Sequence, residues 1–160
     1  MGERGMNYNN PIVRHYQWGG LNIATPAPAR RIKIPPGVRF ARIVDFYVNV
    51  TTAATVVTTA GKVQLGDGST ANKYMDQKIG VDAGTSVAAG TVYGIQDVDG
   101  RVAAYNPDLT PSSTNKGRID LKQDGATAGT LQTFLDVTTV APTGGTPAGV
   151  ADYNLVLEFF

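Results

Sequence analysis

Between residues 38 and 50 the apolar side chains recur at every second position. Val38, Phe40, Val44, Phe46, Val48 and Val50 alternate with Arg39, Ala41, Ile43, Asp45, Tyr47 and Asn49. A strand sends successive side chains to opposite faces, so this period of two marks a long half-buried strand and excludes a helix. Such a strand is stable only when other strands complete its hydrogen bonds and a second layer covers its apolar face. Arg42 interrupts the inward set, so a bulge or a local exit from the sheet is expected there.

The rest of the chain agrees with that start. Further strands are predicted at 55–59, 62–65, 91–96, 101–105, 118–122, 131–138 and 153–159. Between them stand the turn formers Gly66-Asp67-Gly68, Asp99-Gly100, Asp124-Gly125 and Gly144-Gly145, and Asp99-Gly100 suits a tight hairpin. Met75 to Ile79 reads as a single helical turn, and no segment carries a sustained helical stripe. The 19 glycines, 9 prolines and abundant threonine replace the residues that helices prefer. At 160 residues the chain suits one core. The expected fold is all-β: a two-layer antiparallel β-sandwich over 38–160, jelly-roll-like or immunoglobulin-like.

Residues 1–37 read differently. Pro26, Pro28, Pro35 and Pro36 disfavour helix, Gly19-Gly20 signals a turn, and no period is sustained. Yet Ile12, Val13, Tyr16, Trp18, Leu21 and Ile23 are more apolar than a free linker requires. An extended N-terminal arm lying on a surface satisfies both facts. Up to residue 42 the basic side chains are Arg4, Arg14, Arg30, Arg31, Lys33, Arg39 and Arg42, against Glu3 alone, while the remainder is acidic on balance. The arm is therefore expected to engage acidic protein surface, its own or a neighbour's, with no role for nucleic acid. Tyr8, Arg14, Tyr16, Trp18, Leu21, Arg30 and Arg31 are its candidate interface residues. Three readings of the aromatics stay open: anchors in another subunit, packing onto their own body, or a sugar-stacking platform. Deleting residues 1–30 is expected to leave the sandwich folded.

Little in the chain points to chemistry. It has no cysteine, which removes disulfides, zinc–thiolate sites and thiol nucleophiles. No apolar leader or membrane-length run is visible, so a soluble chain is expected. His15 is the only histidine and has no Gly-x-Ser-x-Gly partner motif. Asp97-Val98-Asp99-Gly100 begins like a calcium loop, but Arg101 stands where a ligand is needed. The pairs Asp97/Asp99 and Asp120/Asp124 are ordinary for strand ends and turns. Gly66-Asp67-Gly68-Ser69-Thr70 lacks the lysine of a phosphate loop, and Asn49-Val50-Thr51 is a chance-length sequon. No enzyme activity, cofactor or metal is expected.

The stretch Lys62-Val63-Gln64-Leu65-Gly66-Asp67-Gly68-Ser69-Thr70-Ala71-Asn72-Lys73-Tyr74 resembles a pattern in phage virion proteins, where an apolar strand runs into Gly-Asp, a small polar loop and an aromatic. The ending is similar as well: Thr127-Ala128-Gly129-Thr130-Leu131 leads towards Ala151-Asp152-Tyr153-Asn154-Leu155-Val156-Leu157-Glu158-Phe159-Phe160. With the basic arm and the absence of cysteine, the chain resembles head decoration (cement) proteins of tailed bacteriophages. The resemblance implies a virion structural protein made in the host cytoplasm and seated on the capsid outer surface. Its partners would be the major capsid protein and further copies of itself, with a homotrimer favoured. Phe159 and Phe160 would lie in the core or at a subunit seam. A head-fibre or tail component and a carbohydrate-binding adhesin are the alternatives.

Overall fold

The computed structural model describes residues 11–25, 30–55, 58–79, 86–94, 118–121, 132–144, 146 and 148–160. Their strands are β1 (Ile12–Asn22), β2 (Arg30–Lys33), β3 (Phe40–Thr55), β4 (Gly61–Gly66), β5 (Met75–Ile79), β6 (Val92–Gly94), β7 (Arg118–Asp120), β8 (Phe134–Val140) and β9 (Ala148–Phe159). All pairings are antiparallel. One sheet runs β1-β9-β3-β6, with β7 also on β3, and the other runs β2-β8-β4-β5.

Strands β6 and β7 are two pieces of one sheet edge. Val92–Gly94 pairs with Tyr47 to Asn49, and Arg118–Asp120 pairs with Phe40 to Arg42, both antiparallel to β3. They follow one another along the same side of β3, separated in sequence by residues 95–117. Taken as one strand, they complete a simple rule: first pairs with last, second with second-last, and so inward to β4 with β5. A long hairpin rolled up in this way is a jelly roll. The expected sandwich is present, and the immunoglobulin-like alternative has a different strand order.

Strands β3 and β9 hold the centre of the first sheet. On β9 the odd-numbered residues Ala151, Tyr153, Leu155, Leu157 and Phe159 are buried and the even ones are half-buried. Strand β3 matches them through a bulge. Ile43 pairs with Leu157 and Asp45 with Val156, so Val44 is the extra residue. Before it Ala41 faces the core; after it Phe46, Val48 and Val50 do. The sequence placed Val44 inward, but it is 41% exposed. The bulge comes two residues later than Arg42, whose guanidinium stays outside and pairs with Glu158.

The division at residue 37 does not survive. Ile12–Asn22 pairs with β9 along its length, and Arg30–Lys33 pairs with β8, so both are strands of the sandwich. Their apolar residues close the core: Ile23, Ile32 and Ile34 are buried, while Ile12, Tyr16, Trp18 and Leu21 pack against it half-covered. Gly19-Gly20 is a bulge rather than a turn. The register slips by one residue between Trp18 and Leu21, and Gly20 has φ 65°, a left-handed conformation that glycine adopts at little steric cost. The Gly20 amide donates to Asp152 Oδ1 at 2.8 Å, which satisfies the displaced backbone.

Met75–Ile79 is a strand instead of a helical turn, with Met75, Gln77 and Ile79 buried and Asp76 and Lys78 half-exposed. Five residues are too few for their period to decide; pairing with β4 decides it. Of the segment 55–59, Thr55 ends β3 and Thr59 makes an isolated bridge to Thr143. The expected strand at 101–105 and the turns Asp99-Gly100 and Asp124-Gly125 lie outside the described residues.

The connections gather at two ends. At one, Ile23 donates to Gly149, Ala54 bridges Val87, and Thr58 donates to Thr143. This end joins β1–β2, β3–β4, β5–β6 and β8–β9. At the other, the Phe160 carbonyl accepts from Arg39 and Phe40, Leu121 donates to the Arg39 carbonyl, and Tyr74 Oη donates to Gln132.

Candidate protein-binding surface

Paired residues in an antiparallel sheet share a face. Ile12, Arg14, Tyr16 and Trp18 lie opposite Phe159, Leu157, Leu155 and Tyr153, so all four side chains stand on the core side of the first sheet, at its edge. Tyr16 and Trp18 are half-buried there, with rings 9° from parallel and centroids 6.1 Å apart. Burial raises the Tyr16 hydroxyl pKa, with Arg14 acting in the opposite direction. Past the bulge, Leu21 continues the strip opposite Ala151. Arg14 itself is exposed. The side chains of Tyr16, Trp18 and Leu21 thus pack onto their own body and keep a solvent-facing part.

The other two candidate arginines lie on β2, in the second sheet. Arg30 is exposed at the edge of the second sheet. Arg31 points to its outer face and forms a two-point ion pair with Asp136, Nε to Oδ1 at 2.9 Å and Nη2 to Oδ2 at 3.1 Å. Hydrogen bonding and charge from Asp136 raise the Arg31 pKa. The same guanidinium lies 5.0 Å from the Phe134 ring centroid. An acidic surface was expected for this arginine, and its own sheet supplies one. Tyr8 lies outside the described residues. Phe159 is fully buried, whereas Phe160 stays partly exposed with its ring 5.9 Å from that of Phe40.

Sequence reading put Tyr47 in the outward set of β3 but did not single out the other apolar residues of the outer faces. Val13, Val44, Tyr47 and Val92 are exposed on the first sheet, Phe134 and Val140 on the second. Alternation singles out the inner set and treats every other position as polar, so only departures from alternation would have found them. The first sheet's outer face also carries His15, Asp45, Asn154 and the Arg42–Glu158 pair. The second is more charged. Lys62 Nζ and Gln64 Nε2 both donate to Asp76, each at 2.9 Å.

The Gly66-Asp67-Gly68-Ser69-Thr70 loop is organised around Asp67. Its Oδ1 accepts from the Ser69 amide, the Ser69 hydroxyl and the Thr70 amide, and its Oδ2 meets Lys73 Nζ at 2.9 Å. Burial alone would raise this carboxyl, but those hydrogen bonds outweigh it and hold the pKa at about 2. The arrangement uses every acceptor to fix the turn. Among the described residues no group of three or more His, Asp or Glu could hold a metal ion. Asp97, Asp99 and Asp124 lie outside them.

The chain matches no protein-family model, no curated protein sequence and no solved structure.

Proposed function

We propose that this chain is a virion structural protein, a decoration or cement subunit that binds the major capsid protein on the outer surface of a shell. The observation that carries the reading is the strand order, β1-β9-β3-β6 over β2-β8-β4-β5. Jelly rolls recur in viral capsid and lectin domains, so the step from fold to role is one of analogy. The resemblance of residues 62–74 and of the C-terminal strand to phage virion proteins chooses between the two. In this reading the chain does no catalysis. It covers joints between shell proteins, and each contact stabilises the shell by burying surface.

The apolar outer-face residues Val13, Val44, Tyr47 and Val92 suit such contacts, because they are held on a sheet and lose little freedom on binding. Arg14 and Arg30, exposed at the two sheet edges, remain able to meet acidic partner surface. Quantitative mass spectrometry of purified particles tests the role. Hundreds of copies in fixed ratio to the shell protein are expected. A handful would indicate a tail or fibre position, and none would remove the virion reading.

A lectin-like role is the second reading, favoured by the half-exposed parallel rings of Tyr16 and Trp18. Tryptophan fluorescence that responds saturably to a soluble glycan, and no longer does so in Trp18→Phe, would support it.

A further inference from the structure

Three of the four sheet edges are built from short strands. Strand β2 has 4 residues, β5 has 5, and β6 and β7 have 3 each, whereas β1 runs for 11. Among the described residues β1 is hydrogen-bonded on one side only, to β9. From Ile12 to Trp18 its register is unbroken, and no proline interrupts it. Alternate residues of such a strand direct their N–H and C=O away from the neighbour, so its open side offers a row of backbone donors and acceptors. Arg14, Tyr16 and Trp18 stand along that side on the core face, the guanidinium exposed and both rings half-covered. Among the described residues no carboxylate pairs with Arg14.

We propose that β1 takes an extended segment of a different protein as an added strand, and that Arg14 selects a segment carrying a carboxylate opposite it. Strand addition draws affinity from main-chain hydrogen bonds and specificity from alternate side chains. Here the alternate set is Arg14, Tyr16 and Trp18. Incoming side chains opposite the two rings would continue the inner layer of the first sheet and cover the aromatic surface that faces solvent. The arginine makes the edge selective. A strand laid beside it strips water from the guanidinium, a cost that an opposite charge offsets, so chance pairing is deterred. The β1 of a second copy does not meet that requirement, because Ile12–Asn22 contains no Asp or Glu. The segment that fits has an acidic residue with apolar residues two and four positions away from it, in either chain direction. That the occupant is a protein rests on the partner-binding reading above; no capsid is required.

A displayed library of random twelve-residue peptides, panned against the full chain, supplies the probe. Enriched peptides are expected to carry Asp or Glu with apolar residues two and four positions away. Once synthesised, they should shift the emission of Trp18, the only tryptophan, to the blue as its ring is covered. N-methylation should weaken binding about tenfold at every second backbone amide and leave the amides between without effect, a pattern that a mere surface patch does not produce. Arg14→Glu should bind the acidic peptides about tenfold more weakly, with unchanged far-UV circular dichroism, and when panned afresh should prefer Lys or Arg at that position. Arg30→Glu, on the other sheet, should behave as the native chain. These outcomes do not depend on the copy number of the chain in virus particles, so the strand proposal and the capsid reading fail separately. No enriched peptide, enriched peptides without alternation, N-methyl effects that ignore it, an Arg14→Glu that binds the acidic peptides unchanged, or a chain that sediments as a dimer until peptide is added would each overturn the proposal.

Discussion

Arg31 on β2 holds Asp136 on β8 through two hydrogen bonds of 2.9 and 3.1 Å across a four-residue strand pairing. The carboxylate is buried and the guanidinium mostly exposed, so the two ends of the bond are unequal. Removing the arginine leaves a buried charge with less compensation. Arg31→Ala is expected to lower the urea midpoint of unfolding, because Asp136 loses both of its hydrogen bonds from the guanidinium. Arg31→Lys should recover only part, since an ammonium cannot reproduce the forked geometry.

Asp67 makes stability depend on acid. Its folded pKa, about 2, lies below the ordinary value of 3.8, so ionisation favours the folded state. The contribution is present above the ordinary carboxylate pKa and is lost as pH falls through 3.8 towards 2. Thermal melts between pH 2 and 7 check it. Asp67→Asn should melt lower at pH 7 and lose much of the slope below pH 4.

The bulge at Val44 separates neighbouring positions sharply. Val44→Asp is expected to change stability by about 0.5 kcal/mol or less, because the side chain is exposed. Phe46→Ala, two residues on and fully buried, should cost about 3–5 kcal/mol. Deleting Val44 should be worse than either. It removes the residue that keeps both halves of β3 in phase with β9, so one half would turn its apolar set to solvent.

Gly149 has φ 131°, and a Cβ there would come within 2.7 Å of Ala54 Cβ. Gly149→Ala is expected to cost about 2–4 kcal/mol through strain and overlap together, measured by denaturant midpoint.

The pairing of β1 with β9 argues against the expectation that the sandwich stays folded without residues 1–30. The cut would strip the pairing partner of β9 from Ile12 to Asn22 and uncover Tyr153, Leu155 and Leu157. A chain lacking residues 1–24 is expected to aggregate or to lose cooperative unfolding in calorimetry. Native-like melting would show that β1 is dispensable.

What the sequence made legible was local. The alternation from Val38 to Val50 announced β3, and the run ending at Phe159 announced β9, because each strand buries one face along its length. Val44 was misplaced because a bulge is fixed by the partner strand, which a one-dimensional pattern does not contain. The same limit hid β1 and β2. Proline links and the Gly19-Gly20 bulge look like unanchored chain until Asp152 and β9 are brought beside them. Among the candidate interface residues, exposure at Arg14 and Arg30 fitted their chemistry. The carboxylate for Arg31 lies 105 residues away in sequence, and nothing near the arginine betrays it.

The sheet edge formed by β6 and β7 has a consequence for how such a chain can be altered. Gly94 is fastened opposite Tyr47 and Arg118 opposite Arg42, each by its own pairing with β3. The two pairings meet different stretches of β3, Tyr47 to Asn49 and Phe40 to Arg42, so a substitution that breaks one should leave the register of the other in place.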